Sequence, residues 1–133
     1  MIDKINTADA PAPSGPYSHA IKLGNLVFAS GQLPTDPSTG TIVEVDIEAQ
    51  TKQVLENLKM VLEAAGTDLD HTLKVSVYII DKKRNFEKMN QVYGQYIKSK
   101  PARTTIDTPF IKELPLRALV EMDAIAFIET EGG

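Results

Sequence analysis

Along residues 46–128 the spacing of apolar residues switches repeatedly between two periods, and that alternation leaves few folds open. Ile47, Val54, Leu55, Leu58, Val61, Leu62 and Ala65 recur at helical spacing, with Asp46 an able N-cap and Gly66 a stop. Residues 72–80 then alternate, placing Leu73, Val75, Val77 and Ile79 on one face and Lys74, Ser76, Tyr78 and Ile80 on the other. Residues 81–84 read as a charged turn. Asn85 can cap a second helix carrying Phe86, Met89, Tyr93, Tyr96 and Ile97 along one side, and Pro101 closes it. Strands near 103–108 and 119–128 follow, separated by an irregular stretch with two prolines, Pro109 and Pro115.

Upstream, residues 9–18 hold three prolines and a glycine, an extended or turning arm rather than a helix. Gly24-Asn25 between the apolar runs 20–23 and 26–30 is a hairpin signal. The order is therefore hairpin, helix, strand, helix, strand, strand. Two helices on crossovers among so few strands predict an α+β domain spanning 1–133, a single sheet with both helices on one face. In residues 119–128, Val120, Met122, Ala124, Ala126 and Ile128 share one face, while Ile125 and Phe127 stand beside Glu121 and Asp123 on the other. Two partly apolar faces call for two covers. With no residues left for a second layer, another copy of the chain is the expected cover.

Composition removes several function classes. The chain has no cysteine, which excludes disulfides, thiol nucleophiles and cysteine metal sites. A net charge of −4 offers no basic field to nucleic acid or an anionic membrane, so neither partner is expected. No apolar run approaches the roughly 18 residues a membrane span needs, and residues 1–6 lack the apolar core of a secretion signal. The expected compartment is cytoplasmic.

Arg103 opens a strand-like run directly after a helix-ending proline, so a guanidinium with a planar fork of donors stands on a rigid base. Taken alone, such an arginine is a surface residue in a weak ion pair. Its surroundings argue otherwise. The succession Gly15-Pro16-Tyr17-Ser18, Phe28-Ala29-Ser30-Gly31-Gln32, Asn90-x-x-Tyr93, Pro101-Ala102-Arg103 and Val120-Glu121-Met122 resembles the RidA/YjgF family, in order and over almost the whole chain. The resemblance implies a chorismate-mutase-like α+β subunit with a single mixed sheet, assembled as a homotrimer with three inter-subunit clefts. It implies an enamine/imine deaminase that hydrolyses 2-aminoacrylate and its imine tautomers, products of pyridoxal-phosphate dehydratases, to 2-keto acids and ammonia.

Carried over residue by residue, the resemblance makes Arg103 the anchor of the substrate carboxylate and Glu121 the residue that positions the attacking water. Tyr17 closes the cleft, and Ser30 and Gly31 form a wall where backbone approaches the ligand. Thr105 lines the site where many members carry a cysteine. The segment between Tyr96 and Pro101 is short and that between Arg103 and Glu121 long, so the loop 109–116 could reshape the cleft mouth.

The chemistry suits these residues. Imine hydrolysis begins with an electrophilic carbon and needs water delivered and protons moved, with no metal, covalent nucleophile or organic cofactor. Positioning and acid–base help, the latter worth about 10²–10⁴-fold, are what the protein must add. A lysine could supply charge at position 103 but not a bidentate fork. Tyr17 lends either a hydroxyl or only a wall. An alternative is a regulatory trimer that binds 2-keto acids without turnover; RNA cleavage is a third reading, opposed by the net charge. Chorismate mutase activity rests on fold analogy alone. His19 reads as a strand or surface histidine, Asp68-Leu69-Asp70-His71 as a polar turn, and Lys82-Lys83-Arg84 as a solvated turn.

Overall fold

The computed structural model describes residues 1–109, 111 and 117–130. The strands are β1 (Ile2–Ile5), β2 (Ala20–Leu23), β3 (Leu26–Gln32), β4 (Thr72–Ile79), β5 (Ala102–Asp107) and β6 (Val120–Phe127); the helices are α1 (Ile47–Ala64) and α2 (Lys82–Tyr96). The expected irregular stretch after β5 lies mostly outside the described residues, as does the loop 109–116 apart from Pro109 and Ile111.

The six strands form one mixed sheet in the order β1-β2-β3-β6-β4-β5. Only β4 and β5 run parallel, because α2 carries the chain back between them; every other pair is antiparallel. The core lies between sheet and helices, where Leu55, Leu58 and Leu62 of α1 meet Val75, Val77, Met122 and Ala124 with almost no exposure. Each such leucine, valine or methionine contributes about 1.5–3 kcal/mol by leaving water.

Local rules explain α1. The Asp46 carboxylate accepts from Ala49 N at 2.8 Å, satisfying a donor that the helix itself leaves free. At the far end Gly66 takes φ +92°, and Thr67 N donates to Leu62 O while Gly66 N donates to Glu63 O, a Schellman closure. Two buried polar residues of α1 then do what its apolar stripe cannot. Gln50 donates to Arg117 O at 2.9 Å and accepts from Leu119 N at 2.6 Å, fixing the entry to β6. Asn57 donates to Leu33 O and Thr35 O at 3.0 and 2.8 Å, fixing the exit of β3.

Several sequence expectations need correction. β1 is an additional strand, paired antiparallel with β2 through Ile2↔Leu23 and Ile5↔Ala20. In β4 the register shifts between Thr72 and Lys74, which buries Thr72 and turns Leu73 outward at 45% exposure, away from Val75, Val77 and Ile79. α2 begins at Lys82, so Lys82, Lys83 and Arg84 are its first turn rather than a connecting turn. Its N-cap is Asp81 at φ 49°, and Asn85 lies inside the helix, donating to Ile80 O at 2.7 Å. His19 is not on the surface: it is 2% exposed. Asp68 does make a polar turn, accepting from His71 N and from the imidazole, whose other nitrogen meets Glu129 at 3.1 Å.

The sheet face away from the core carries Ile21, Phe28 and Ile125 in one cross-strand row, with Leu23, Leu26 and Phe127 in the next. Phe28 and Leu23 are 41% and 48% exposed, so apolar surface stays open to solvent in the single chain. No helix among the described residues is long and apolar enough to cross a membrane.

Candidate functional site

The expected site residues fall into two groups, divided by the sheet. Glu121 stands opposite Tyr78 in the β4–β6 ladder, and Arg103 stands opposite Val75 in the β4–β5 ladder. Tyr78 and Val75 point to opposite faces because strand side chains alternate. Arg103 and Thr105 therefore lie on the helix side of edge strand β5, while Glu121 lies on the open face of β6, with β4 between them. Two strand spacings separate the strands, roughly 10 Å, and their side chains diverge from there. One chain does not bring the fork and the carboxylate to one hollow.

The first group is built from backbone. Register slips in β3 between Ala29 and Gln32, so Ser30 and Gly31 form a bulge against β6. A Cβ on Gly31 would sit 2.5 Å from Glu121 Oε2 and 3.2 Å from its Cδ, so glycine is what admits this carboxylate. Ser30 donates from Oγ to Ser18 O at 2.7 Å and from N to His19 O at 2.9 Å, tying the bulge to the proline-rich arm.

His19 straps that arm from below. Its Nδ1 accepts from Thr7 N at 3.1 Å, which assigns the ring proton to Nε2 for donation to Pro11 O at 2.6 Å. Tyr17 folds back so that its hydroxyl accepts from Ser14 N at 3.3 Å, and its ring stays 48% exposed. Tyr17, His19 and Gly31 line one hollow of about 260 Å³. Glu121 is half-buried, and burial, with Asp123 nearby as a second cause, raises its pKa above the usual carboxylate value. The same Asp123 accepts from the Tyr78 hydroxyl at 3.4 Å, and its charge, with burial, raises the Tyr78 pKa.

The second group is built from aromatic rings. The Arg103 guanidinium carbon lies 4.8 Å from the Tyr93 ring centroid and 5.7 Å from that of Phe86, both on α2. Lys82 approaches the Phe86 ring at 5.1 Å. Among the described residues, no carboxylate forms a salt bridge with Arg103; the ion pairs there involve His71 and Lys88. A cation on a ring platform with no anionic partner is an arrangement ready for an anion.

The chain matches the family model described as Endoribonuclease L-PSP over residues 7–128. A RutC family protein of Pyrococcus horikoshii is 51% identical over 130 residues, spanning 97% of this chain and 100% of that one. The chain belongs to the RidA/YjgF family. Rid-family structures share its fold: YyfA of Yersinia pestis matches with a TM-score of 0.88 at 42% identity, covering 96% of this chain and 100% of its own. TdcF of E. coli, solved with bound serine, matches with a TM-score of 0.86 at 34% identity, covering 96% and 99%.

Within this Rid-family chain, sequence reasoning missed the platform under Arg103. Phe86 and Tyr93 read as members of a packing stripe, which they also are. The usable signal was their position on the crossover helix that delivers the chain to the strand opened by Arg103. Among the described residues no group of three or more histidine, aspartate or glutamate side chains is arranged to hold a metal ion.

Proposed function

We propose that this chain is an enamine/imine deaminase that hydrolyses 2-aminoacrylate and related small 2-imino acids, released by pyridoxal-phosphate dehydratases, to 2-keto acids and ammonia. Arg103 grips the substrate carboxylate through its fork. The enamine 2-aminoacrylate first becomes its imine, a proton leaving nitrogen as one joins the terminal carbon. Glu121 then takes a proton from water as the water oxygen bonds to the C=N carbon and the π electrons move to nitrogen. Nitrogen is protonated, and the resulting carbinolamine expels ammonia as its C–O bond becomes C=O. Water is consumed and no redox change occurs. Tyr17, Ser30, Gly31 and Thr105 shape the walls.

The observation that carries this reading is the Arg103 fork on its ring platform, without a salt-bridge partner among the described residues, with serine, another small carboxylate, bound in the related TdcF. The upward pKa shift of Glu121, caused first by burial and then by Asp123, supports a carboxylate that holds a proton more readily than an ordinary one and so suits proton exchange. The split of Arg103 and Glu121 across the sheet supports a cleft shared between copies, Arg103 from one and Glu121 from its neighbour. A homotrimer with three such clefts would cover the open face around Phe28 and Ile125. The endoribonuclease named in the family description fits less well, because a net charge of −4 gives little counterion release on an RNA backbone.

The test couples a threonine dehydratase to the purified protein and follows imine decay. Acceleration over buffer is expected; tight 2-keto acid binding without acceleration would establish the regulatory binder instead. Mixed oligomers test the shared cleft. Arg103→Ala and Glu121→Gln chains, each nearly inactive alone, should recover activity when assembled together, since some interfaces then draw both intact residues. Mixed assemblies that stay inactive would sink it.

A further inference from the structure

The platform beneath Arg103 carries two polar atoms that packing does not explain. Phe86, Asn90 and Tyr93 stand at i, i+4 and i+7 on α2, one continuous face of the helix, and the outer two hold their rings against the guanidinium. Asn90 Oδ1 and the Tyr93 hydroxyl are both buried without a hydrogen-bond partner among the described residues. Tyr93 as a whole is only 8% exposed. An unpaired buried polar atom is a net cost to the fold, and such atoms in a native structure ask for a reason. A guanidinium has five N–H donors, of which a bidentate carboxylate takes two.

We propose that Asn90 and Tyr93 are positioning residues for Arg103: their two oxygens accept the guanidinium donors that the ligand leaves over, fixing the plane of the fork when a carboxylate docks. The inference rests on the reading of Arg103 as a carboxylate anchor. The rings set the height of the guanidinium above α2 but leave it free to turn in its own plane, since attraction to a ring face is nearly indifferent to that rotation. Two acceptors behind it remove that freedom and convert a point charge into an oriented fork. Burial keeps the Tyr93 phenol neutral by raising its pKa; the Arg103 charge, and its approach to the hydroxyl as a donor short of full hydrogen-bond geometry, pull the other way more weakly, so the oxygen remains a hydroxyl acceptor at physiological pH.

Calorimetric titration of the assembled protein with 2-oxobutanoate tests this, alongside thermal melting. Tyr93→Phe keeps the ring and deletes only the hydroxyl; Asn90→Leu keeps the volume and deletes the acceptor. Each should weaken binding by about tenfold while Tm holds or rises, because a buried orphan has been removed. Wild-type affinity in either variant, or a fall in Tm parallel to the loss of affinity, would overturn the proposal. Asn90→Asp supplies an independent readout should Asn90→Leu fail to fold. Its carboxylate should pair with Arg103, compete with the ligand, and release it again as pH falls through the carboxylate range; pH-independent wild-type binding would count against proximity to the fork. Arg103→Ala separates the two levels. If it binds 2-oxobutanoate as well as wild type, the anchor reading itself fails. If it loses binding while Tyr93→Phe and Asn90→Leu do not, only the positioning role fails.

Discussion

Glu121 and Arg103 are held by opposite means. Around Glu121 the work is done by backbone: a bulge in β3, a glycine without a Cβ, and a second carboxylate, Asp123, that makes ionisation harder. Around Arg103 it is done by side chains, two rings on one helix beneath a strand at the sheet edge. The first environment resists charge and the second receives it. A carboxylate that ionises reluctantly suits proton exchange, whereas a permanent cation over aromatic faces suits binding. Because β4 stands between them, a single chain holds the two groups apart on opposite faces of the sheet.

The largest effects should come from removing the two charges, and they should differ in kind. Arg103→Ala is expected to lower kcat/KM for imine hydrolysis by about 10²–10³-fold, with 2-keto acid binding lost in step, as when one partner of a desolvated charged pair is deleted. Arg103→Lys should recover little, since it restores charge without the fork. Glu121→Gln should lower kcat by about 10²-fold and leave 2-keto acid affinity near wild type. Steady-state kinetics and calorimetry on the same preparations decide it. Equal losses of binding and turnover in Glu121→Gln would erase the contrast between a binding half and a reacting half.

Gly31→Ala probes the backbone half more gently. The methyl would meet the flexible end of Glu121, which can swing away, so the fold should melt within a few degrees of wild type. The displaced carboxylate should nonetheless cost about tenfold in kcat, in keeping with the sensitivity of such steps to small misplacement. A large loss of Tm would mean that the bulge holds β3 and β6 together rather than aiming a side chain.

How much of this could be read from the chain depends on whether the determinant is local. The α1 helix, its Asp46 cap and Gly66 stop, the β2–β3 hairpin and the alternation of β6 are set by neighbours within a few residues, and all were legible. β1 was not, because Ile2–Ile5 is too short to show a pattern and gains its place by pairing with β2. Leu73 was assigned to the wrong face because a register shift is a property of two strands, not one. Asn85 looks like a cap until Asp81, left-handed at φ 49°, takes that place and frees Asn85 to bond back to Ile80. The opposite facing of Arg103 and Glu121 was hidden for the same reason as Leu73: alternation is visible within each strand, but their relative phase is fixed only by the ladders through β4. The candidate site residues were legible as types; their division between two faces was not.

The smallest expected effect lies in the pH dependence of Glu121, and it tests whether its environment really resists charge. Burial is the larger cause of its raised pKa and Asp123 the smaller. Activity that needs the ionised carboxylate should fall as pH drops through that raised value. Asp123→Asn removes the neighbouring charge, so the fall should move to lower pH while the larger part due to burial stays in place. Stability should run the other way. A carboxyl whose pKa is higher folded than unfolded stabilises the fold below its unfolded pKa, the ordinary glutamate value of 4.5, and loses that contribution as pH rises through the folded value. Glu121→Gln imitates the protonated form at every pH. Its Tm relative to wild type should therefore improve from pH 4 toward pH 7, read by melting the two proteins side by side. A difference that stays flat would mean that Glu121 is solvated in the assembled protein, and the contrast with Arg103 would then be one of position alone.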